Sequence, residues 1–522
     1  MGLTENEEFD FYGEGSRFWT REALQQVVER ILGHRLVIVV SNREPYVHRF
    51  DGDEIVCERP VSGLVTALEP VMRVCRGVWV AHGSGDADRD VVDTNDRIAV
   101  PPEHPEYSLR RVWLSKSDER EYYHGFANQA LWPLCHIVYE RPVFAAQDWD
   151  GYARVNRQFA DIVLEEARGQ DAVVLIQDYH FALLPSLLRQ RNPNLLIAQF
   201  WHVPWPNRET FLICPWGPEI IEGLLGNDLL GFHTRYHCQN FLETVAATTE
   251  ARVDDVTSTV TRAGRSTVVR PFPISVDLDS IRERSMSEAV TARLRRFRHQ
   301  LGLTNHRVLL GVDRIDYTKG IPERLRALDR LLELHPEYLG KLRFVQIGSP
   351  SRTRIRRYQE LARDIRTLVE EINWKHAQER WVPIIYLPSP HTADDLLCLY
   401  RLADVCVTTP LHDGMNLVAK EYAAARADGD GVLVLSRFAG AARELEQSLR
   451  VNPYAIDETA MVLHEALSMD EAERRARMAA LRETVARNNI YRWAGKLVTQ
   501  LGQITGRRSL ETVHDASVAA AG

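Results

Sequence analysis

The sequence predicts an α/β protein of two halves, each a parallel sheet flanked by helices, and two observations carry that prediction. Short β-branched or wholly apolar runs alternate with longer stretches of helical periodicity along the chain, the pattern of βα units whose strands are buried on both faces. The runs fall into two sets, parted by Arg270–Val276 (RPFPISV), a proline-marked extended stretch suited to an interdomain connection. The length of 522 residues agrees, exceeding one domain at roughly 100–200 residues each.

From the N-terminus, residues 1–34 read as an extension with one helix, about Thr20–Leu32, for which Ser16 or Thr20 is the candidate cap. Within 35–270 the buried strands are Leu36–Val40 (LVIVV), Val173–Gln177, Leu195–Trp201 and Asp228–Phe232, and helical spacing marks Leu64–Cys75 and Tyr152–Ala167. Within 271–485 the strands are Val308–Val312, Leu342–Ile347, Ile384–Leu387, Val405–Thr408 and Val432–Leu435, with helices at Glu323–Leu334, Ala393–Leu402 and Met415–Ala427. A terminal helix lies in 486–506, and 507–522, polar and then alanine-rich, is expected to be a flexible tail.

Composition excludes several classes of function. Apolar residues make up 45% and charged residues 26%, the profile of an ordinary globular chain. The net charge of −8 supplies no basic field for nucleic acid or an anionic membrane, so an anionic ligand needs a local basic pocket. No apolar run is long enough to span a bilayer, and the N-terminus is acidic where a signal peptide is basic, so the expected location is the cytoplasm. Seven scattered cysteines without a CxxC pair suggest neither a disulfide framework nor a zinc ribbon.

Open parallel sheets bind ligands beyond the carboxyl ends of their strands, and here those positions are polar. The first strand runs into Ser41-Asn42-Arg43, the next two lead to Asp178-Tyr179-His180 and to His202, and the second half offers Asp313 to Gly320, Ser349 to Arg352 and Asp413 to Leu417. Arg43, Arg314, Lys319 and Arg352 thus sit where two facing sheets open onto a common cleft. Arg314 and Lys319 pair a planar fork with a flexible ammonium, able to grip one diphosphate or equally to stand solvated. Asp413-Gly414 precedes a helix whose first free amides, Met415, Asn416 and Leu417, form an anion site. Glu421, two turns on, is either a partner for a ribose diol or a surface carboxylate, and His180 and His202 are either ligand contacts or satisfied buried histidines. Gly13-Glu14-Gly15 and Gly83-Ser84-Gly85 lack the third glycine of a dinucleotide fingerprint, and GxxxxGK[ST] is absent. His233, His237 and Cys238 lack a fourth ligand, so no metal is expected.

The ordered set of motifs resembles the trehalose-6-phosphate synthase family of retaining glycosyltransferases. The match runs in order over about 35–500: SNRxP at 41–45, SGLVTAL at 62–68, YYxGFxNxxLWPLxH at 122–136, DYH at 178–180, HVPWP at 202–206, GLLGxDLLGFHT at 223–234, DRxDYxKGIP at 313–322, QIxxPSR at 346–352, PLxDGMNLVAKEY at 410–422, LSxFAGAA at 435–442 and VNPY at 451–454. The resemblance implies two Rossmann-like domains facing across a cleft (GT-B), with 35–270 as the acceptor domain and 271–485 as the nucleotide-sugar domain. It implies transfer of glucose from UDP-glucose or another nucleotide diphosphate glucose to glucose 6-phosphate, giving α,α-trehalose 6-phosphate. The nucleotide sugar is then a substrate, and neither a cofactor nor a divalent metal is called for. By matching motif, Arg314 and Lys319 clamp the donor diphosphate, Glu421 holds the ribose, Asn416 and Leu417 offer amides to phosphate, Gly63 approaches the donor, and Asp413 and His202 hold hydroxyls of the transferred sugar. On the acceptor side Arg43, Tyr123, Trp132 and Arg352 bind phosphate and sugar, and Asp178 lies near the reacting hydroxyl.

The chain departs from the family pattern at Ser62-Gly63, where two glycines are usual, and at Trp79–Gly85, where His82 or Gly83 stands in place of the usual tryptophan and one residue is inserted. It departs also at His412, Gln177, Trp205 and Asn207. Donor residues are nearly intact and acceptor residues drift. The alternatives are therefore another acceptor (glucosylglycerol-phosphate synthase, a cyclitol pseudoglycosyltransferase) or a non-catalytic sugar-phosphate-binding homologue. The nucleotide base, a homo-oligomeric state and the role of the N-terminal helix stay open.

Overall fold

A computed structural model describes the backbone of residues 18–59 and 63–521, with side chains left undescribed at 63, 64, 66, 67, 70, 71 and 507–521. The expectations for residues 1–17 (Ser16 included) and for Ser62 fall outside the residues so described, whereas the backbone of residues 507–521, expected to be a flexible tail, continues helix Ile490–Ala521. Helix Arg21–Leu32 is capped by Thr20, whose hydroxyl accepts from the amide of Ala23.

The first half contains β1 (Leu36–Arg43), β2 (Val47–Asp51), β3 (Glu54–Glu58), β4 (Val78–His82), β5 (Arg97–Val100), β6 (Tyr107–Val112), β7 (Ala172–Gln177), β8 (Leu196–Phe200), β9 (Leu229–Phe232), β10 (Arg252–Asp254), β11 (Thr259–Arg262) and β12 (Arg265–Pro271). Ten of these form one sheet in the order β10-β11-β12-β9-β8-β7-β1-β4-β6-β5, while β2 and β3 pair as a separate hairpin. The sheet is parallel from β12 to β6 and antiparallel at both edges. The second half contains β13 (Arg307–Arg314), β14 (Leu342–Ser349), β15 (Ile384–Leu387), β16 (Val405–Thr408), β17 (Val432–Ser436) and β18 (Leu449–Val451), an all-parallel sheet ordered β15-β14-β13-β16-β17-β18. In each sheet the strand order reverses beside the first strand, β1 or β13, and a crevice opens there beyond the carboxyl ends.

The structure differs from these expectations in several places, and the helix expected at Tyr152–Ala167 spans Ala146–Glu166. Arg270 and Pro271 belong to β12, paired with β9, so the connection starts after Pro271, at a strand end where the missing N–H breaks no ladder. The helix read at Met415–Ala427 is Leu417–Ala425; Asn416 is its cap, with φ at +86° and its side-chain oxygen accepting from Ala419. Residues 119–131, which the sequence reading left unassigned, form a π-helix, a rare geometry. There the side chain of Asn128 donates to the Tyr123 carbonyl and that of Gln129 to the His124 carbonyl, each five residues back. It delivers Tyr123 and Trp132 to the cleft. Helix Ile490–Ala521 packs back against Arg21–Leu32 and Gly63–Cys75 in the first half, with Trp19 over Gly495 so closely that a Cβ would stand 2.2 Å from the ring. No helix among the described residues is long and apolar enough to cross a membrane.

Candidate active site

A cavity of about 630 Å³ lies between the carboxyl ends of the two sheets. Every predicted site residue lines it except Gly63, which opens the helix Gly63–Cys75. Three lining residues, Asp178, Arg352 and Asn416, hold positive φ of +74°, +47° and +86°. Such backbone costs about 1–3 kcal/mol each and persists where surrounding structure enforces it.

On the first-half wall, Asp178 follows β7 and its carboxylate accepts from the amides of Tyr179 (2.9 Å) and His202 (3.2 Å). Burial nonetheless raises its pKa to about 7 against the pull of those bonds and of Arg352 and Arg314. Its proton affinity therefore sits in the working range of an acid–base group. Desolvation alone would raise the hydroxyl of the partly buried Tyr123, but Arg43 and Arg352 outweigh it and bring the group down to about 8. His180 stacks on Tyr123 with ring centroids 5.8 Å apart, both its ring nitrogens buried without a hydrogen bond and Nδ1 4.0 Å from the Asp178 carboxylate. Burial keeps it well below the usual histidine range.

On the second-half wall, Lys319 donates to Asp413 at 2.6 Å, and the Asn416 side chain donates to the same oxygen at 3.3 Å. Burial raises the Asp413 carboxyl, and Lys319 overcomes it to give a net lowering. The two residues expected to contact diphosphate and sugar separately are thus an ion pair. Lys319 owes its place to Gly320, at φ +63°, where a Cβ would stand 2.2 Å from the Thr409 carbonyl. Glu421 is no surface carboxylate: it faces the cavity, accepts from Tyr400 at 2.8 Å, and burial raises its pKa.

The walls meet at Arg352. Its guanidinium lies 3.8 Å over the Trp132 ring, donates to Asp316 at 2.8 Å and reaches the Tyr179 hydroxyl at 3.4 Å. Asp316 also accepts from Trp132 Nε1 at 3.3 Å and from Thr318. Sequence reasoning gave Asp316 no role, although it stands inside DRxDYxKG; it is the carboxylate that joins Arg352 to Trp132 across the cleft. Arg43 and Arg314, one from each wall, have no carboxylate partner among the described residues. Arg314 nonetheless acts at longer range on Asp178 and Asp316, whose carboxyls it pulls down.

No metal centre is built from the residues considered in the sequence. His233 Nε2 is engaged by the His202 carbonyl at 2.9 Å. The one group of three potential ligands among the described residues is His335, Glu337 and His464, outside the cavity. Its imidazoles stack 3.7 Å apart at 7°, so their in-plane lone pairs do not converge.

A model of glycosyltransferase family 20 matches residues 35–503. The trehalose-6-phosphate synthase of Mycobacterium sp. (strain KMS) is 41% identical over 466 residues, covering 88% of this chain and 93% of that one. That of Mycobacterium avium (strain 104) is 40% identical over 479 residues, covering 90% and 96%. Among solved structures, the E. coli protein bound with UDP-2-fluoro glucose superposes with a TM-score of 0.80 at 34% identity, covering 90% of this chain and 99% of that one. The α,α-trehalose-phosphate synthase (UDP-forming) of Burkholderia xenovorans in complex with glucose-6-phosphate does so with a TM-score of 0.80 at 32% identity, covering 89% and 99%.

Proposed function

The chain belongs to glycosyltransferase family 20, and from that premise we propose that it transfers glucose, with retention, from a nucleotide diphosphate glucose to glucose 6-phosphate, releasing α,α-trehalose 6-phosphate. The observation that carries this is the pair Arg43 and Arg314, which face one cavity from opposite walls without an ion-pair partner among the described residues: two anionic substrates meet there, one phosphate group to each wall. The fold is GT-B. Residues 35–271 form the acceptor half and 272–485 the nucleotide-sugar half, and the enzyme works in the cytoplasm.

In the donor half, Arg314 takes the diphosphate together with Lys319, whose bond to Asp413 the incoming phosphate exchanges for its own. Asp413, so released, and His202 accept hydroxyls of the transferred sugar. Asn416 and Leu417 present the start of helix Leu417–Ala425 to phosphate, Gly63 lies at the donor loop, and Glu421 accepts from the ribose. On the acceptor side, Arg43 and Tyr123 from the first half and Arg352 from the second hold the 6-phosphate against Trp132. The acceptor hydroxyl attacks the anomeric carbon on the face from which the diphosphate departs, and the leaving oxygen takes its proton. Catalysis is then positioning plus stabilisation of the leaving group, and the substrates' charges are met by side chains without a metal.

The test crosses UDP-, GDP- and ADP-glucose with glucose 6-phosphate and glycerol 3-phosphate, identifying products by NMR. An α,α-linked disaccharide phosphate from glucose 6-phosphate supports the reading; a glycerol glycoside moves the acceptor, and no product from any pair removes the transferase assignment.

A further inference from the structure

Gln177 ends β7 one residue before Asp178 and is 2% exposed. Its Oε1 lies 2.9 Å from Nε2 of His202. An amide oxygen only accepts, so Nε2 carries the hydrogen and Nδ1 of a neutral ring keeps its lone pair. Both side chains line the cavity. The backbone of His202 is fixed independently, its amide by the Asp178 carboxylate at 3.2 Å and its carbonyl by Nε2 of His233 at 2.9 Å. What the backbone leaves undecided, the ring's tautomer, falls to Gln177.

Resting on the transferase reading above, we propose that Gln177 is a positioning residue: it locks His202 as the Nε2–H tautomer so that Nδ1 accepts a hydrogen bond from a hydroxyl of the transferred sugar. The neutrality of the amide matters as much as its geometry. A carboxylate at 177 makes the same bond but favours the imidazolium, in which both nitrogens donate and no acceptor remains. The titratable and charged groups facing this ring are Asp178 and His180 from the end of β7, His233 from the end of β9, and Asp413 with Lys319 from the opposite wall. Burial, assisted by His180, holds His202 down at about 3, so with Gln177 beside it the ring stays neutral through the physiological range.

The experiment measures kcat and KM for donor and acceptor between about pH 5.5 and 8.5 in the full-length enzyme, in Gln177→Ala and in Gln177→Glu. Gln177→Ala is expected to lower kcat/KM for the donor roughly ten- to hundredfold with the acceptor KM unchanged. Gln177→Glu is expected to approach the parent rate at the alkaline end and to lose it on acidification, its acid limb lying at least about one pH unit above that of the parent. Donors each lacking one sugar hydroxyl complete the test. With the analogue that lacks the contacted hydroxyl, the deficit of Gln177→Ala disappears and the acid limb of Gln177→Glu falls back onto the parent profile, which assigns that limb to His202 rather than to Asp178. Unchanged donor kinetics in Gln177→Ala, coincident acid limbs, or a deficit equal for every analogue overturns the positioning role. A parent enzyme that glucosylates nothing overturns the reading on which it rests.

Discussion

Arg352→Lys separates charge from shape at the junction of the two walls. A lysine retains the positive charge and one bond to Asp316, but loses the planar contact with Trp132 at 3.8 Å and the second prong offered to a phosphate. A desolvated cation–π contact is worth about 2 kcal/mol, and a hydrogen bond to a charged group about 1.5–3 kcal/mol. Because the lysine recovers part of each, the net loss is about 2–4 kcal/mol, or roughly 30- to 1,000-fold in kcat/KM. The assay varies glucose 6-phosphate at saturating donor, then varies donor at saturating acceptor, with a thermal melt to establish that the variant is folded. The loss should appear in the acceptor series. An acceptor kcat/KM within about threefold of the parent, or an equal loss in both series, refutes the assignment of Arg352 to the acceptor phosphate.

Arg314→Ala should cost about 10²–10³ in turnover, because it removes the donor wall's unpaired guanidinium from a water-poor site; single-turnover rates check this. Asp178→Asn tests the raised carboxyl. A native pKa of about 7 against an ordinary carboxylate value means that the native protein binds the proton more tightly, so this group's contribution to stability is full below about pH 4 and lost as pH rises towards 7. The asparagine variant should therefore melt higher than the parent at pH 8 and show little difference at pH 4, while turning over more slowly. Gly320→Ala should abolish activity by forcing a side chain into positive φ against the Thr409 carbonyl and shifting Lys319, a loss visible in kcat and in a lowered Tm. Activity should survive a chelator and mild reductant, since the charges are met by side chains and the seven cysteines are free thiols; loss restored by one specific metal would overturn that.

Strand ends were the legible part of the site. Buried parallel strands write themselves as apolar runs, and polar residues within a few positions of the end of each run, Arg43, Asp178, His202, Arg314, Arg352 and Asp413 among them, fall at the cavity because the sheet topology puts them there. The edge strands β5, β10 and β11 were not legible, being only three or four residues long and, in β10 and β11, largely polar. Nor was the π-helix Glu119–Leu131, which leaves no periodic signature distinct from an α-helix over so few turns. Pairings across the fold were out of reach for a further reason: that Lys319 meets Asp413, that Asp316 joins Arg352 to Trp132, and that Gln177 faces His202 depends on distances between segments up to 184 residues apart. Local spacing carries none of this. The left-handed cap at Asn416 escaped because helical spacing of apolar residues extends past the residue that ends the helix geometrically.

The central claim, that fixed cations on opposite walls bring two phosphorylated substrates together, is tested most directly by kcat/KM for glucose 6-phosphate against kcat/KM for glucose at one donor concentration. Losing the phosphate forfeits contacts with Arg43 and Arg352, each a charge-assisted bond worth about 1.5–3 kcal/mol, so the account predicts a ratio of at least about 10² in favour of the phosphorylated sugar. Equal efficiency with the two acceptors would contradict it.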